Sequence, residues 1–172
     1  GTNNITVNSA VTTSGTGRSL EVIGRTGGTV NYNSTTIDNA TGMRIANNTV
    51  GTVNVTEDLT FNTGGNDAIT IEGNNGATLN FSDSGSIALG ATSGSGVHLT
   101  GQNTNVIVGA DISGGTGTAV DIEGNATASL NGIITNTAGR SLQVHNLTAG
   151  SVNVNGNIND TGTGISIDNN TG

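Results

Sequence analysis

His98 and Asp121 are the pair in this chain whose types most directly invite chemistry. Each is the polar middle of an apolar-polar-apolar triplet, Val97-His98-Leu99 and Val120-Asp121-Ile122, so equivalent positions of adjacent repeats would set an imidazole beside a carboxylate. That is half of a general-base arrangement; a nucleophile or a second carboxylate must also lie within hydrogen-bond reach. Ser and Thr are so frequent in the sequence that one falls near any such pair by composition alone. A charge pair between neighbouring exposed strands contributes only about 0.2–1 kcal/mol and needs no catalytic purpose. The same column would place Glu21 beside Arg44. Glu72 and Glu123 follow the triplets of their own repeats, but Thr100 intervenes between them.

Glycan cleavage is the reaction these groups come nearest to. Hydrolysis needs two carboxyl groups held at a fixed separation across one bond, and no closely paired carboxylates stand out. A lyase acting on an anionic sugar wants basic residues in its cleft, and the whole chain has 4 Lys plus Arg. With no Trp, one Tyr and two Phe there is little to build an aromatic platform from. The expectation is that the chain is not an enzyme and has no catalytic or cofactor-binding residues. Glu57, Asp58, Asp67, Asp83 and Asp111 offer hard oxygen ligands of the kind calcium takes. The Gly-Gly-x-Gly-x-Asp nonapeptide that builds regular calcium corners is missing, however, so no metal site is expected. A different surface is the set Asn31, Asn54, Asn80, Asn131 and Asn153, interrupted once by Ile107, which would stack as an outward amide ladder. Stacked amides bond to their neighbours whatever their function, and the same column could serve as a flat polar face for glycans or for another protein. Thr does not repeat in the outward columns, so an ice-binding face is the weaker alternative.

These positions recur because the sequence does. Leu20, Met43, Ile69, Val97, Val120, Leu142 and Ile165 each open an apolar-polar-apolar triplet. They follow one another at a spacing of roughly 22–28 residues, a period that marks stacked architectures. Period two within each triplet marks a strand. Two residues after the second apolar position stand Gly24, Asn47, Gly73, Gly101, Gly124, Asn146 and Asn169. Gly and Asn tolerate a left-handed backbone, so the chain is expected to turn a corner there in every repeat. A second strand follows, at Ile5-Thr6-Val7, Val30-Asn31-Tyr32, Val53-Asn54-Val55, Leu79-Asn80-Phe81, Val106-Ile107-Val108, Leu130-Asn131-Gly132 and Val152-Asn153-Val154, and a third around Val11, Ile37, Leu59, Ile87, Ile112, Ile134 and Ile158. Length variation concentrates in the return segments 62–67 and 90–96. Three short strands per repeat can close a coil in which each strand pairs in parallel with its counterpart one repeat on. The predicted fold is therefore all-β, a right-handed parallel β-helix of about seven coils of roughly 22–28 residues, over 1–172 as one unit. With rungs spaced by roughly 4.8 Å the stack would be about 30–35 Å long. A charge at Ile122 or Val154 is expected to unfold its surroundings.

Composition limits what such a rod can meet. With 29 Gly, 31% hydrophobic and 2% aromatic residues the chain is lean in large side chains. That is too little for a globular core, whereas stacked β-branched residues suit a solenoid. Net charge −8 would repel a phosphate backbone, so no nucleic acid is expected as partner. No apolar run is long enough to span a membrane, so no membrane insertion is expected, and the chain is expected to be a mature or excised piece. Zero Cys excludes disulfides and suits an exported bacterial protein. Gly172 ends the chain inside a new repeat, which reads as a piece of a longer solenoid or a unit that stacks on its own copies.

Rungs such as 117–125, Gly-Thr-Ala-Val-Asp-Ile-Glu-Gly-Asn, together with Thr52-Val53-Asn54-Val55 and Ser151-Val152-Asn153-Val154, resemble the Gly/Asn/Thr-rich β-helices of large bacterial surface proteins: filamentous haemagglutinins, autotransporter passengers and giant repeat adhesins. The likeness is one of repeat style and covers nearly the whole chain. It implies export, display on the bacterial cell surface and service as a non-catalytic stalk or adhesin, with glycans, other surface proteins or further copies of the chain as partners. A polysaccharide lyase or hydrolase on the same scaffold is the alternative it leaves.

Overall fold

A computed structural model describes residues 1–171; Gly172, the last residue of the expected single unit, lies outside the described residues. Its 19 strands build a β-solenoid of about seven coils, all pairings parallel. Three columns of strands run along it. The first holds β3 (Leu20–Ile23), β6 (Met43–Ala46), β9 (Ile69–Glu72), β12 (Val97–Thr100), the start of β15 (Val120–Leu130), the start of β17 (Leu142–Val154) and β19 (Ile165–Asp168). The second holds β1 (Ile5–Val7), β4 (Thr26–Tyr32), β7 (Val50–Val55), β10 (Thr78–Phe81), β13 (Gln102–Val108) and the later parts of β15 and β17. The third holds β2 (Val11–Ser14), β5 (Thr36–Asn39), β8 (Leu59–Phe61), β11 (Ser86–Leu89), β14 (Asp111–Gly114), β16 (Ile134–Asn136) and β18 (Ile158–Asp160).

The corner between the first two columns follows the sequence reading position by position. Gly24, Asn47, Gly73, Gly101, Gly124, Asn146 and Asn169 all have positive φ, between 51° and 83°. Asn is the L-residue that enters this region at least cost, because its short polar side chain bonds locally. In the fifth and sixth coils the strand ladder continues through the corner, so β15 and β17 each span two faces, where the sequence pattern predicts separate short strands.

The core is one stack of inward apolar side chains, with Met43, Ile45, Ile69, Ile71, Val97, Leu99, Val120 and Ile122 fully buried along the first column alone. Burial decays toward the last coils. Ile122 is 0% exposed, whereas Val154 is 41% exposed, so the unfolding expected of a charge applies to Ile122 and not to Val154.

Two strand assignments differ from the sequence reading. In the second column Ile107 pairs with Ser129 and Ser129 with Asn153, so the strand of that coil is Ala128-Ser129-Leu130 rather than Leu130-Asn131-Gly132. A two-residue slip preserves inward and outward parity; Ala128, 1% exposed, fills the inward place that a larger residue takes elsewhere. In the third column Thr36 pairs with Leu59 and points inward, while Ile37 is 44% exposed. The inward Thr36 hydroxyl is satisfied by the buried Tyr32 hydroxyl at 2.8 Å and by Ser34 O at 3.1 Å. Asp38, also inward, accepts from the N–H groups of Ser19 (3.1 Å) and Ala40 (2.8 Å). Burial alone would raise the Asp38 pKa, but the Ser19 side chain together with the N–H groups of Ala40, Gly42 and Ser19 holds it below the usual carboxylate value.

Candidate functional site

The asparagine column is partly assembled. Asn31, Asn54 and Asn80 lie in register, followed by Ile107, Ser129 and Asn153. Only its first step carries an amide bond, Asn54 Nδ2 donating to Asn31 Oδ1 at 2.9 Å. Asn131 is not in this column. The register shift moves it just past the strand, where its N–H donates to Val108 O, as that of Asn33 does to Val7 O and that of Asn155 to Leu130 O. Asn155 Nδ2 bonds Asn131 Oδ1 at 2.9 Å, and Asn33 Nδ2 bonds Asn8 Oδ1 at 3.1 Å, so this neighbouring column has amide steps of its own.

A longer amide ladder lies inside the coil, at the residue or two after the left-handed corners Asn47, Gly73 and Gly101. Asn48, Asn74 and Asn103 are at most 1% exposed. Asn48 Nδ2 donates to Asn74 Oδ1 at 2.7 Å, and Asn74 Nδ2 donates to Asn103 Oδ1 at 3.1 Å. Their amides also donate to Val22 O, Ile45 O and Ile71 O, while their oxygens accept the N–H groups of Arg25, Asn48 and Asn74. Each side chain thereby satisfies backbone groups that bending at the corner would leave unpaired in an apolar interior. The signal is present in the dipeptides Asn47-Asn48 and Gly73-Asn74, but the inward direction of the second Asn is set by the corner.

The charged side chains gather on the outer face of the first column. Glu21 and Arg44 are register neighbours, as expected, at 3.7 Å. Arg44 meets Glu72 more closely, at 2.9 Å, and Glu21 meets Arg18 at 3.7 Å. His98 and Asp121 are also register neighbours, but neither hydrogen-bonds the other. His98 Nδ1 instead donates to Asp67 Oδ2 at 2.8 Å, reaching back to the return loop before β9, and its Nε2 lies 3.6 Å from Glu123 Oε1. Asp121 Oδ1 accepts from His145 Nε2 at 3.0 Å, and His145 Nδ1 accepts from Asn146 Nδ2 at 2.9 Å. A proton on Nε2 of His145 satisfies both contacts.

Electrostatically the His98–Asp67 pair is tuned toward charge separation. The hydrogen bond to Asp67 is the largest influence on His98 and raises its pKa above 6.5, outweighing burial, with Asp121 and Glu123 adding to the rise. For Asp67 burial pushes upward, but hydrogen bonds from His98 and from the Ser95 N–H, 2.8 Å from Oδ1, bring it below 3.8.

Ser95, Asp121 and His145 have the residue types of a nucleophilic triad, but Asp121 stands in the middle. Ser95 Oγ donates to Asp121 Oδ2 at 3.3 Å and the imidazole lies on the other oxygen. A triad needs the imidazole between hydroxyl and carboxylate so that it can take the hydroxyl proton. Thr100 donates to Glu123 at 3.1 Å and is the register neighbour of Glu72, so it separates those two carboxylates. Three of the acids near corners, Asp58, Asp67 and Asp111, accept backbone N–H groups. Asp58 accepts the Ser86 N–H at 2.9 Å and Asp111 the Ile133 N–H at 2.7 Å. Among the described residues no group of three His, Cys, Asp or Glu is arranged to hold a metal ion, and no helix is long and apolar enough to cross a membrane.

No protein-family profile, curated protein or solved structure matches this chain.

Proposed function

We propose that the chain is a non-catalytic structural and adhesive segment of a bacterial cell-surface protein, an extracellular stalk whose outer faces attach cells to one another or to a surface. One observation carries the reading: along the rod the inward pair and the left-handed corner persist in every coil, while the outward positions vary freely among amide, hydroxyl, acid, Arg and His. Such a molecule holds a varied polar surface on an invariant, rigid support. Its glycan, protein or self-association partners would meet the column of Asn31, Asn54, Asn80 and Asn153, the neighbouring Asn131, or the charged face. The test is attachment: beads coated with the chain should bind bacterial or host cells above beads coated with a cysteine-free control of equal charge. Equal binding by both coatings overturns the proposal.

A second reading draws on Asp121 and Glu123, which project outward from the same face of β15, each near an imidazole. A polysaccharide-acting enzyme would use such carboxylates. Incubation with plant, algal and bacterial polysaccharides decides between the two: turnover that disappears in Asp121→Asn or Glu123→Gln favours the enzyme.

A further inference from the structure

The return segments do not have equal length, and the step between them shapes a depression on the rod. Between β5 and β6 three residues, 40–42, make the return; between β8 and β9, and again between β11 and β12, it takes seven, 62–68 and 90–96. The two long returns hold each other. Gly64 and Thr92 form an isolated parallel bridge, Gly64 N–H donates to Ala91 O at 2.8 Å, Ser93 N–H donates to Gly64 O at 2.6 Å, and the Thr63 and Thr92 hydroxyls meet at 3.2 Å. They stand beside the short return, and the hollow between them, about 470 Å³, is lined by Thr16, Arg18, Thr41, Asn66, Asp67 and Thr70 together with Gly65. That volume is within the range of small-molecule sites.

The lining specifies a ligand. It presents hydroxyls that donate and accept, an amide that does both, a guanidinium with donors to spare and a carboxylate with unused lone pairs. Arg18 donates one bond to Thr41 O at 3.1 Å and its Nε lies 3.7 Å from Glu21 Oε1, which leaves further guanidinium N–H groups to donate. Asp67 is fixed by Ser95 and His98. One guanidinium and one carboxylate balance, so the hollow has no excess charge of its own, and a chain of net −8 disfavours anions at longer range. The lining has no Val, Leu, Ile or aromatic side chain, which leaves an apolar ligand without contacts.

We infer that this hollow binds a neutral glycan, with Arg18 and Asp67 engaging adjacent hydroxyls of one sugar and Asn66, Thr41 and Thr70 fixing its orientation. The inference rests on the adhesive reading and names its ligand class and its contact site. It also places recognition at the loop step rather than on the asparagine column.

The experiment is an amide-resolved NMR titration of the full chain with methyl glycosides of glucose, galactose, mannose and N-acetylglucosamine, and with galacturonate and inorganic phosphate as charged probes. A neutral sugar is expected to shift the amides of Thr16, Thr41, Asn66 and Thr70. Arg18→Ala and Asn66→Ala, both changes at the surface, should each weaken that binding about tenfold or more, while Asn159→Ala, an exposed position of β18 in the third column, leaves it unchanged. Response to the charged probes alone, shifts confined to the asparagine column, or no response to any neutral sugar overturns the inference. Cell attachment distinguishes the two levels. Beads that bind cells equally well with both variants overturn the hollow as the contact while the adhesive reading stands; a parent chain that never attaches overturns the adhesive reading, and the titration still decides the hollow.

Discussion

Replacing Asn74 by Ala removes the middle of the internal amide ladder. Asn74 Oδ1 accepts from Asn48 N at 3.1 Å and Asn48 Nδ2 at 2.7 Å, and Asn74 Nδ2 donates to Ile45 O at 2.9 Å and to Asn103 Oδ1 at 3.1 Å. Asn103 Oδ1 keeps the Asn74 N–H, which a substitution does not remove. Three groups are then left short of a partner: the Asn48 N–H, one hydrogen of the Asn48 amide and Ile45 O. At about 1–3 kcal/mol for each stranded buried group, the loss comes to about 3–5 kcal/mol once partial relaxation is allowed. That is a large fraction of the roughly 5–15 kcal/mol that holds a domain of this size together. The matched control is Asn54→Ala, which deletes an equal volume from the half-buried outer column with its single amide bond. It should cost about 0.5 kcal/mol or less. Urea denaturation followed by circular dichroism gives both differences, and amide exchange should show the Asn74 loss centred on β6, β9 and β12. A cost within about 0.5 kcal/mol of the Asn54 control, the scatter of ordinary surface substitutions, would refute the claim that the inner ladder stabilises the corners. Asn74→Asp sharpens the test. It keeps an acceptor for Asn48 but turns a second oxygen toward Ile45 O and Asn103 Oδ1, so its defect should shrink as pH falls and the carboxyl regains a proton to donate.

Other outcomes follow from the same geometry. A Cβ on Gly139 would overlap Gly117 O, whereas one on Gly17 meets nothing within 4 Å. Gly139→Ala should therefore lose about 3 kcal/mol by denaturation and Gly17→Ala about nothing. Ile122 is fully buried; Ile122→Asp should cost about 4 kcal/mol or more, and an unchanged melting curve would contradict the rung stacking. The His98–Asp67 pair makes stability pH-dependent in a defined direction. His98 has a raised folded pKa, so its contribution is complete below about 6.5 and is lost as pH rises through the folded value; Asp67 has a lowered one, so its contribution is complete above about 3.8 and is lost as pH falls through the folded value. Urea midpoints should hold between these values and fall on either side, with a limiting slope of about 1.4 kcal/mol per pH unit, and His98→Gln should abolish the alkaline fall.

What the sequence determined by itself is whatever depends on one residue's own backbone or on alternation within one strand. The seven Gly and Asn corners are legible because a positive φ is a local demand that few side chains meet. The first column is legible because Leu20, Met43, Ile69, Val97, Val120, Leu142 and Ile165 each begin a strict triplet, which fixes both face and register. Alternation runs out at two places. It cannot distinguish Ala128-Ser129-Leu130 from Leu130-Asn131-Gly132, since a slip of two preserves parity, and so it puts Asn131 on the wrong column. It also assigns Ile37 inward over Thr36, because the Tyr32 hydroxyl that makes a buried Thr36 acceptable comes from another face of the coil. The remaining features belong to the tertiary structure. His98 is a register neighbour of Asp121 yet bonds Asp67, because a seven-residue return loop brings that carboxylate closer than the adjacent strand can. The inner amide ladder and the hollow under the long returns likewise arise only when coils of unequal length are stacked, since each is made of residues from three or more coils that the sequence separates by more than twenty positions.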